Sequence, residues 1–481
     1  MLFNSIEFAI FFPVVTALYY LLPQRWKSWM LLLASCVFYM AFIPAYILIL
    51  LVTILIDYCG GIYIEKSLGK TRRYWLVASI LSTCLVLFVF KYINFANHNL
   101  AALARFLDWN YPIGVLAIIL PIGLSFHTFQ SLSYVIEVYR GRQKPEKRFG
   151  IYALYVMFYP QLVAGPIERP QNLLHQFDES HRFDYNQVTS GLRLMTWGLF
   201  KKMVIADRLA RYVNPVYAAP QEFSALQLIV ATFFFAYQIY CDFSGYSDIA
   251  IGAARVMGFK LMTNFDRPYS SKSIGEFWKR WHISLSTWFK DYLYISLGGN
   301  RVAKWRWYLN LAITFIVSGL WHGANWTYIL WGALNGFYLI IGLTTKRLRD
   351  RLRGIMRIDE QTWPVKVLQT CITFALVCVG WILFRARNLD DALFVFTHLF
   401  SGLRIGSVSA GVPGFGRFDL VVALVGIIAL EIIQAVRQRY SMGGLLASIP
   451  FFLRWPVYYA AFFIILFFGI YSQTQFIYFQ F

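Results

Sequence analysis

The run Leu76-Val-Ala-Ser-Ile-Leu-Ser-Thr-Cys-Leu-Val-Leu-Phe-Val-Phe90 contains no charged residue and approaches the length of a membrane-crossing helix. Such a helix needs about 20 mostly apolar residues. Comparable runs recur along the chain, at Ile113–Leu124, Leu226–Ile239, Leu309–Leu320 and Val457–Phe468. Of the 481 residues, 58% are hydrophobic and 14% are charged. Because a soluble domain carries roughly 25% charged residues, we predict an all-α protein that crosses a bilayer many times.

The lengths of the apolar runs predict where the helices divide. As one helix, Leu31–Ile64 would span about 50 Å, against a hydrocarbon core of about 30 Å. We therefore expect two short helices divided at Pro44. Phe8–Leu22 has no basic region before it, so it is predicted to be the first crossing rather than a cleavable signal. Residues 1–481 are predicted to form one membrane domain with ten to twelve crossings.

The next segments are less regular. We expect Trp75–Tyr92 to cross outward, Asn94–Tyr111 to form an external loop, and Pro112–Val138 to return inward. Tyr152–Val163 is apolar but short, and glycine and proline residues follow it. We expect this segment to enter the membrane without crossing it.

Charge is distributed unevenly along the chain. The net charge is +20, and basic residues cluster between apolar runs at 70–73, 140–148 and 346–353. This is the positive-inside pattern, which predicts that these segments face the cytoplasm. It indicates acidic lipid headgroups or an anionic substrate as partners, and no nucleic acid. The six cysteines fall mostly inside apolar runs without a Cys-x-x-Cys pair, which predicts reduced structural thiols and no metal site.

The first candidate site is the segment Tyr237–Asp248, which places two carboxylates and several hydroxyls within an apolar run. If the segment is helical, Gln238, Asp242 and Tyr246 share one face at four-residue spacing. Asp248 would lie about 120° away from Asp242, so the two acids are not predicted to form an acid/base pair. A buried polar network between helices and a substrate channel both fit the pattern.

The second candidate site is Ser273–Leu297. A helical wheel predicts one amphipathic helix at the membrane surface, with Trp278 on its apolar face and Lys279 and Arg280 on its charged face. His282 falls close to Trp278 on this wheel, so we expect it to point inward. A structural, hydrogen-bonded histidine fits this position as well as a functional one.

The third candidate site is Ser318–Trp326, within a strongly apolar run. Ser318, His322 and Asn325 follow at spacings of four and three residues, which predicts a polar stripe on one helix. Gly319 and Gly323 would let a neighbouring backbone approach closely. A desolvated histidine favours the neutral imidazole, which can accept a proton from a hydroxyl as a general base. A structural histidine is again the alternative.

Several enzyme classes are disfavoured by the sequence. It contains no zinc-protease motif, no Gly-x-Ser-x-Gly nucleophile motif and no phosphate-binding loop of the Walker type. These absences argue against a hydrolase or an ATPase. We also find no internal repeat of the kind that many transporters have.

The longer motifs resemble those of the membrane-bound O-acyltransferase family. The resemblance covers nearly the whole chain, with a motif-bearing core at about 110–345, and points to the bacterial polysaccharide-acetylation branch. It implies a ring of helices, with interfacial and re-entrant helices, around a thin centre where cytoplasmic and external funnels meet. The family histidine at that centre corresponds to His322, and a second family position corresponds to His282. The motifs that carry the resemblance are Phe277–Trp288, Tyr292–Arg301, Ser318–Gly323, Gln238–Gly252, Ala164–Pro170 and Phe476–Phe481.

The resemblance implies an enzyme of the bacterial inner membrane that passes acetyl from cytoplasmic acetyl-CoA, with no tightly bound cofactor, to an extracytoplasmic acceptor. The product would be an O-acetylated exopolysaccharide such as alginate. His322 would deprotonate or orient the acceptor hydroxyl, and His282, Asn325 or a tyrosine would hydrogen-bond the oxyanion. The implied protein partner is an extracytoplasmic acetyltransferase of the SGNH-hydrolase type. Candidate substrate-binding residues are Asn325, Trp321, Ser318, Trp278, Lys279, Arg280, Asp242 and Tyr246.

Two other functions stay open at this point. One is transfer of D-alanyl or another acyl group to a cell-envelope acceptor. The other is a transporter or flippase of envelope precursors without enzymatic activity, which the missing internal repeat disfavours.

Overall fold

The computed structural model describes residues 1–118, 120–402, 408, 411–439, 450–471 and 476–477. Within these ranges the chain is helical and contains no β-strand, so the predicted all-α class is confirmed. The described residues divide into two compact units, residues 1–195 with 249–262, and residues 196–248 with 263–481. The single domain over 1–481 stays a prediction, and most of the motif 476–481 lies outside the described residues.

The first unit begins with helices that proline residues separate. α1 (Ile6–Leu21) starts after Ser5, whose hydroxyl accepts a hydrogen bond from the Phe8 amide at 3.3 Å, and ends before Pro23. Residues 41–45, which include Pro44, divide the next two helices, so the predicted division is confirmed. The other helices of this unit are α2 (Gln24–Met40), α3 (Tyr46–Lys66), α4 (Gly69–Leu87), α5 (Ile93–Phe106), α6 (Leu124–Tyr139), α7 (Phe149–Met157), α8 (Tyr159–Leu162) and α9 (Pro170–Leu173).

The predicted loop Asn94–Tyr111 is wrong over its first part, because the helix continues to Phe106 and only residues 107–111 are non-helical. α4 passes through a π-helical turn, Phe88–Tyr92, into α5, and the continuous apolar helix Gly69–Phe106 has 38 residues. The asparagines that suggest a loop bind an extended segment instead. Asn94 and Asn97 donate side-chain hydrogen bonds to the carbonyls of Leu116 and Gly114, at 2.9 and 2.7 Å.

The predicted span Pro112–Val138 is helical only in its second part. Residues 112–118 have no regular secondary structure, and α6 begins at Leu124 after Gly123, whose φ is 78°. The Asn94 and Asn97 contacts hold this extended segment against α5, which explains why its apolar residues do not form a helix.

The predicted short segment Tyr152–Val163 is divided into α7 and α8, which have nine and four residues. Neither helix is long enough to cross a bilayer of about 30 Å. Both are buried within the first unit, so the expectation that this segment does not cross is supported by its length.

The second unit contains the candidate site. Two helices belong to both units: α10 (Tyr185–Leu199) lies mostly in the first unit, and α12 (Ala225–Val256) has its end there. A second π-helical segment, Phe200–Ala206, continues α10, and a third, Phe289–Tyr294, follows α14. The helices are α10 (Tyr185–Leu199), α11 (Asp207–Ala218), α12 (Ala225–Val256), α13 (Ile274–Arg280), α14 (Ile283–Trp288), α15 (Lys304–His322), α16 (Trp326–Thr344), α17 (Lys346–Met356), α18 (Trp363–Arg385), α19 (Leu389–His398), α20 (Arg417–Arg439) and α21 (Phe451–Phe468).

Six helices within the described ranges are long and apolar enough to cross a membrane, and α1 and α21 are shorter apolar helices. The chain is therefore a multi-pass membrane protein, as predicted. The count of ten to twelve crossings stays a prediction. The six helices are Tyr46–Lys66, Gly69–Phe106, Ala225–Val256, Trp326–Thr344, Trp363–Arg385 and Arg417–Gln438.

The core of the second unit is aromatic. Trp281, Trp331 and Trp381 are each at most 2% exposed. The rings of Trp331 and Trp381 stack with their centroids 6.0 Å apart, and Trp281 lies 5.0 Å from Trp381. These rings come from the turn after α13, from α16 and from α18, so they fix the helices that surround the candidate site.

Candidate active site

His322 is the last residue of α15 and is 2% exposed. Three aromatic rings pack around its imidazole. The ring centroids of Trp321 and Trp331 both lie 5.0 Å from it, and that of Phe384 lies 5.4 Å from it. An apolar enclosure of this kind keeps bulk water away, which strengthens any electrostatic interaction that the imidazole makes with a substrate.

Glycines allow α15 and α16 to pack at close range and so define the position of His322. A Cβ atom on Gly319 would lie 2.2 Å from the carbonyl oxygen of Tyr328, and one on Gly332 would lie 2.2 Å from that of Phe315. A Cβ atom on Gly323 would meet the Tyr328 ring at 2.2 Å. The expectation of close backbone approach is therefore confirmed at Gly319, whereas Gly323 makes room for a side-chain ring.

The predicted polar stripe over one helix is wrong at Asn325. α15 ends at His322, and Asn325 caps the next helix, α16, by accepting a hydrogen bond from the Thr327 amide at 3.0 Å. Its side-chain amide donates to the Arg387 carbonyl, also at 3.0 Å. Asparagine is a preferred N-cap residue, and this competing role ends the helix that the spacing suggested. Ser318 does lie one turn before His322 and is buried.

The predicted single helix over Ser273–Leu297 is also wrong. The chain breaks at His282, which has φ 43° in the left-handed region and separates α13 from α14. His282 is nonetheless fully buried, so the inward orientation is confirmed for a reason other than the helical wheel. Burial lowers the pKa of His282 to about 3, so the imidazole is neutral at physiological pH.

Asn264 binds the turn that contains His282, and it belongs to none of the predicted candidate sites. Its Oδ1 lies 3.1 Å from His282 Nδ1 and accepts hydrogen bonds from the amide and hydroxyl of Ser284, at 3.2 and 2.9 Å. Its Nδ2 donates to the hydroxyl of Ser247 at 3.1 Å. These partners are far apart in sequence, so no local pattern predicts the contact.

The structure brings both predicted histidines to one aromatic side chain. The Trp321 ring centroid lies 5.0 Å from that of His322 and 6.4 Å from that of His282. Phe243, on α12, packs edge-on against His282 with centroids 4.6 Å apart. The second and third sequence motifs therefore meet in one buried site within the second unit, and α12 contributes to its wall.

Trp278, Lys279 and Arg280 lie on α13 but differ in their surroundings. The Trp278 indole is buried, and its Nε1 donates to Asn335 Oδ1 at 3.2 Å. The Lys279 side chain is exposed. Arg280 forms an ion pair with Glu276 at 2.7 Å. The basic residues thus lie at the surface of the second unit, while Trp278 belongs to its aromatic core.

The first candidate segment is helical, as expected, and its carboxylates bind buried lysines. Lys202 Nζ lies 2.7 Å from Asp242 Oδ1 and 2.8 Å from Asp207 Oδ1, and the Ile477 amide donates to Asp242 Oδ2 at 2.8 Å. Asp248 binds Lys201 instead, at 2.7 Å. The two acids therefore form no acid/base pair, as predicted. Both oxygens of Asp242 have partners within the protein.

Tyr246 lies on the same buried face of α12. Its ring centroid is 4.7 Å from that of Phe476, near the end of the chain. The roles of Asp242 and Tyr246 in binding substrate stay predictions.

Lys201 and Lys202 are the charged residues that sequence reasoning missed. Both lie on the π-helical segment Phe200–Ala206, and each is 3% exposed. A signal was present, because two adjacent lysines within an apolar run are costly at membrane depth and indicate buried partners. π-Helical turns are also frequent at functional sites.

The chain is similar to several known membrane proteins. The sequence profile of the membrane-bound O-acyltransferase family matches residues 149–383, which include both histidines. The chain is 40% identical to the probable alginate O-acetylase AlgI of Azotobacter vinelandii, over 83% of this chain and 78% of that protein. It is 35% identical to the peptidoglycan O-acetyltransferase of Helicobacter pylori, over 82% of this chain and 79% of that protein.

A third relative transfers a different group. The chain is 31% identical to the teichoic acid D-alanyltransferase of Streptococcus thermophilus, over 57% of this chain and 70% of that protein. The helical membrane fold, the buried histidine site and these similarities define the class of protein. The chain belongs to the membrane-bound O-acyltransferase family. Its activity is therefore O-acyl transfer in a membrane.

Proposed function

We propose that this protein takes acetyl from cytoplasmic acetyl-CoA and passes it across the inner membrane for O-acetylation of an exopolysaccharide such as alginate. The observation that carries the proposal is the buried His322, enclosed by Trp321, Trp331 and Phe384, in a chain whose relatives include an alginate O-acetylase. Acetyl-CoA is a diffusible donor substrate here, and no tightly bound cofactor is required.

His322 would act as the general base. It accepts the proton of the acceptor hydroxyl while the hydroxyl oxygen bonds to the acetyl carbonyl carbon. The carbon–sulfur bond then breaks, and the proton passes to the departing CoA thiolate. A neutral imidazole is required for the first step, and an apolar enclosure favours that form.

The remaining predicted residues would bind the substrates. Lys279 and Arg280 lie at the surface of the second unit, where they could attract the anionic nucleotide of acetyl-CoA. Trp321 lies against both histidines and would border the acyl group. Binding roles are also proposed for residues that lie in or next to the motifs that carry the family resemblance, namely Ser318, Trp278, Asn325, Asp242 and Tyr246.

A second protein would receive the acetyl group. We propose an extracytoplasmic acetyltransferase of the SGNH-hydrolase type, which would deliver acetyl to the polymer. The surrounding membrane lipid is the other partner.

Donor competition tests the acetyl assignment. Purified protein in lipid nanodiscs should release CoA from acetyl-CoA, and a longer acyl-CoA should compete weakly. The teichoic acid relative makes D-alanyl transfer the second candidate, so a D-alanyl thioester is the matched comparison. Faster turnover of the D-alanyl donor would replace the acetyl proposal. Turnover of neither donor, in protein that is folded, would contradict both and revive the transport alternative.

A further inference from the structure

Asn264 is bonded to the His282 turn through its backbone as well as its side chain. The Ile283 amide donates to the Asn264 carbonyl at 2.9 Å, and the Asp266 amide donates to the Arg280 carbonyl at the same distance. These bonds brace a non-glycine residue with positive φ, a conformation that persists only where surrounding contacts determine it. Asn264 and His282 are both buried, at 1% and 0% exposed.

The orientation of the Asn264 side-chain amide follows from its partners. The Ser284 backbone N–H can only donate, so the atom that faces it at 3.2 Å must be the carbonyl oxygen Oδ1. If the amide were flipped, Nδ2 would face the Ser284 N–H, and two donors would oppose each other. The other end, Nδ2, is 3.1 Å from the Ser247 hydroxyl, which accepts its hydrogen bond.

That orientation determines which nitrogen of His282 carries the proton. Oδ1 is an acceptor, and it lies 3.1 Å from His282 Nδ1. The Ser284 hydroxyl is also near Nδ1, at 3.5 Å, but it donates to Oδ1 at the shorter distance of 2.9 Å. An unprotonated Nδ1 would face it lone pair to lone pair. We infer that Asn264 is a positioning residue that holds His282 as the tautomer protonated on Nδ1, so that Nε2 carries the lone pair.

This inference rests on the proposed function and changes the role that the family resemblance implies for His282, that of a hydrogen-bond donor to the oxyanion. A neutral imidazole whose proton is on Nδ1 can accept a hydrogen bond or a proton at Nε2 but cannot donate from it. His282 therefore does not serve as the oxyanion donor. Toward a substrate it can act only as an acceptor at Nε2, and another group must stabilise the oxyanion.

Three variants separate the contacts of Asn264. Asn264→Leu removes the acceptor at similar size, Asn264→Asp keeps an acceptor oxygen, and Ser247→Ala removes only the partner of Nδ2. We expect Asn264→Leu to lower kcat for CoA release from acetyl-CoA by about 10- to 100-fold, the usual cost of losing an outer partner of a functional histidine. KM should change by less than about threefold. Asn264→Asp and Ser247→Ala should stay within about tenfold of the parent kcat.

The tautomer of His282 can be measured by NMR, independently of enzyme activity. Protein labelled with ¹⁵N in its histidine rings, in the same nanodiscs, is compared with His282→Gln to assign the His282 signals. We expect a protonated Nδ1 and an unprotonated Nε2 in the parent, and loss of this preference in Asn264→Leu. A protonated Nε2 in the parent would overturn the inference, even if Asn264→Leu failed to fold.

The two readouts distinguish this inference from the proposed function. If the tautomer is as inferred and changes in Asn264→Leu while kcat does not, Asn264 positions His282 but His282 takes no part in the reaction. If kcat falls in Asn264→Leu and also equally in Ser247→Ala, the network is structural and the positioning role is overturned.

Discussion

Lys202 is a buried cation between two buried carboxylates, Asp207 and Asp242. We expect Lys202→Met to lower the free energy of unfolding by about 3–5 kcal/mol, because removing one partner of a buried ion pair leaves the others in a medium of low dielectric. Thermal unfolding in detergent, monitored by size-exclusion chromatography, measures this loss of stability. Lys279→Met, at an exposed position, is the matched control and should change it by less than about 0.5 kcal/mol. Equal stability of the two variants would contradict the cluster's structural role.

The burial of Glu168 leads us to predict how the stability of the protein depends on pH. Glu168 is fully buried beside the Met262 amide and the Asn172 side chain, and burial raises its pKa to about 7 from a usual value of 4.5. The folded protein therefore keeps a proton that the unfolded chain loses, so stability is highest at low pH and falls as pH rises from about 4.5 to 7. The full effect is about 3 kcal/mol.

The variant Glu168→Gln should lack this fall. Melting temperatures of the parent and the variant, measured between pH 5 and 8, should diverge as pH rises, with the variant relatively more stable above pH 7. Parallel curves would show that Glu168 does not titrate in this range.

Single site residues were predictable where a polar residue type is uncommon in its surroundings. His322 was predicted because a histidine in an apolar run is costly, and His282 because it fell on the apolar face of an amphipathic segment. Both are buried in one site. Asn264 gave no such signal, since its partners Ser247, His282 and Ser284 meet it only through tertiary structure. Asn325 matched a helical spacing, but its capping preference decided its conformation.

At the scale of elements, the close packing of α15 against α16 depends on glycine. We expect Gly319→Ala to lower the free energy of unfolding by about 1–3 kcal/mol, because its Cβ would lie 2.2 Å from a backbone oxygen that cannot move independently. Activity should fall with it, since His322 lies three residues further along α15. Gly342→Ala, where no atom lies within 4 Å of the added Cβ, is the control and should be neutral or slightly stabilising.

Melting temperature and CoA release should be measured on both glycine variants. A Gly319→Ala variant as stable and active as Gly342→Ala would show that the close packing of α15 and α16 is not required.

Element boundaries were harder to predict than element types. The break near Pro44 followed from helix length, and the structure has it. The continuation of α5 through Asn94 and Asn97 was not predictable from length. Those side chains hydrogen-bond to an extended segment, and no periodicity in the sequence reveals that contact. The break at His282 depends on hydrogen bonds that the turn donates to Asn264, so a helical wheel drawn through it could not succeed.

At the scale of the molecule, the positive-inside pattern predicts orientation. α17 carries five of the basic residues, and the apolar helix α18 separates it from α19. Cysteine introduced at the exposed Arg351 should react with an impermeant maleimide only from the cytoplasmic side, and cysteine at the exposed Asp390 only from the opposite side. The parent, with its own six cysteines, gives the background labelling. Labelling of both positions from one side would contradict this topology.

The class of fold was the most predictable feature of all. Low charge and long apolar runs leave few alternatives to a helical membrane protein, because every backbone polar group must be satisfied inside lipid. The motifs then indicated the family, to which the profile match and the relatives assign the chain. The donor, the acceptor and the roles of the histidines do not follow from composition or fold, because they depend on reaction chemistry that activity measurements report.

The most direct measurement is CoA release from acetyl-CoA by the parent, His322→Ala and His398→Ala in nanodiscs. His398 is an exposed histidine at the end of α19 and controls for loss of an imidazole elsewhere. We predict that His322→Ala loses at least about 100-fold in turnover, the low end of what general-base catalysis contributes, while His398→Ala keeps the parent rate. A folded His322→Ala protein with full turnover would contradict the assignment of the reaction to His322.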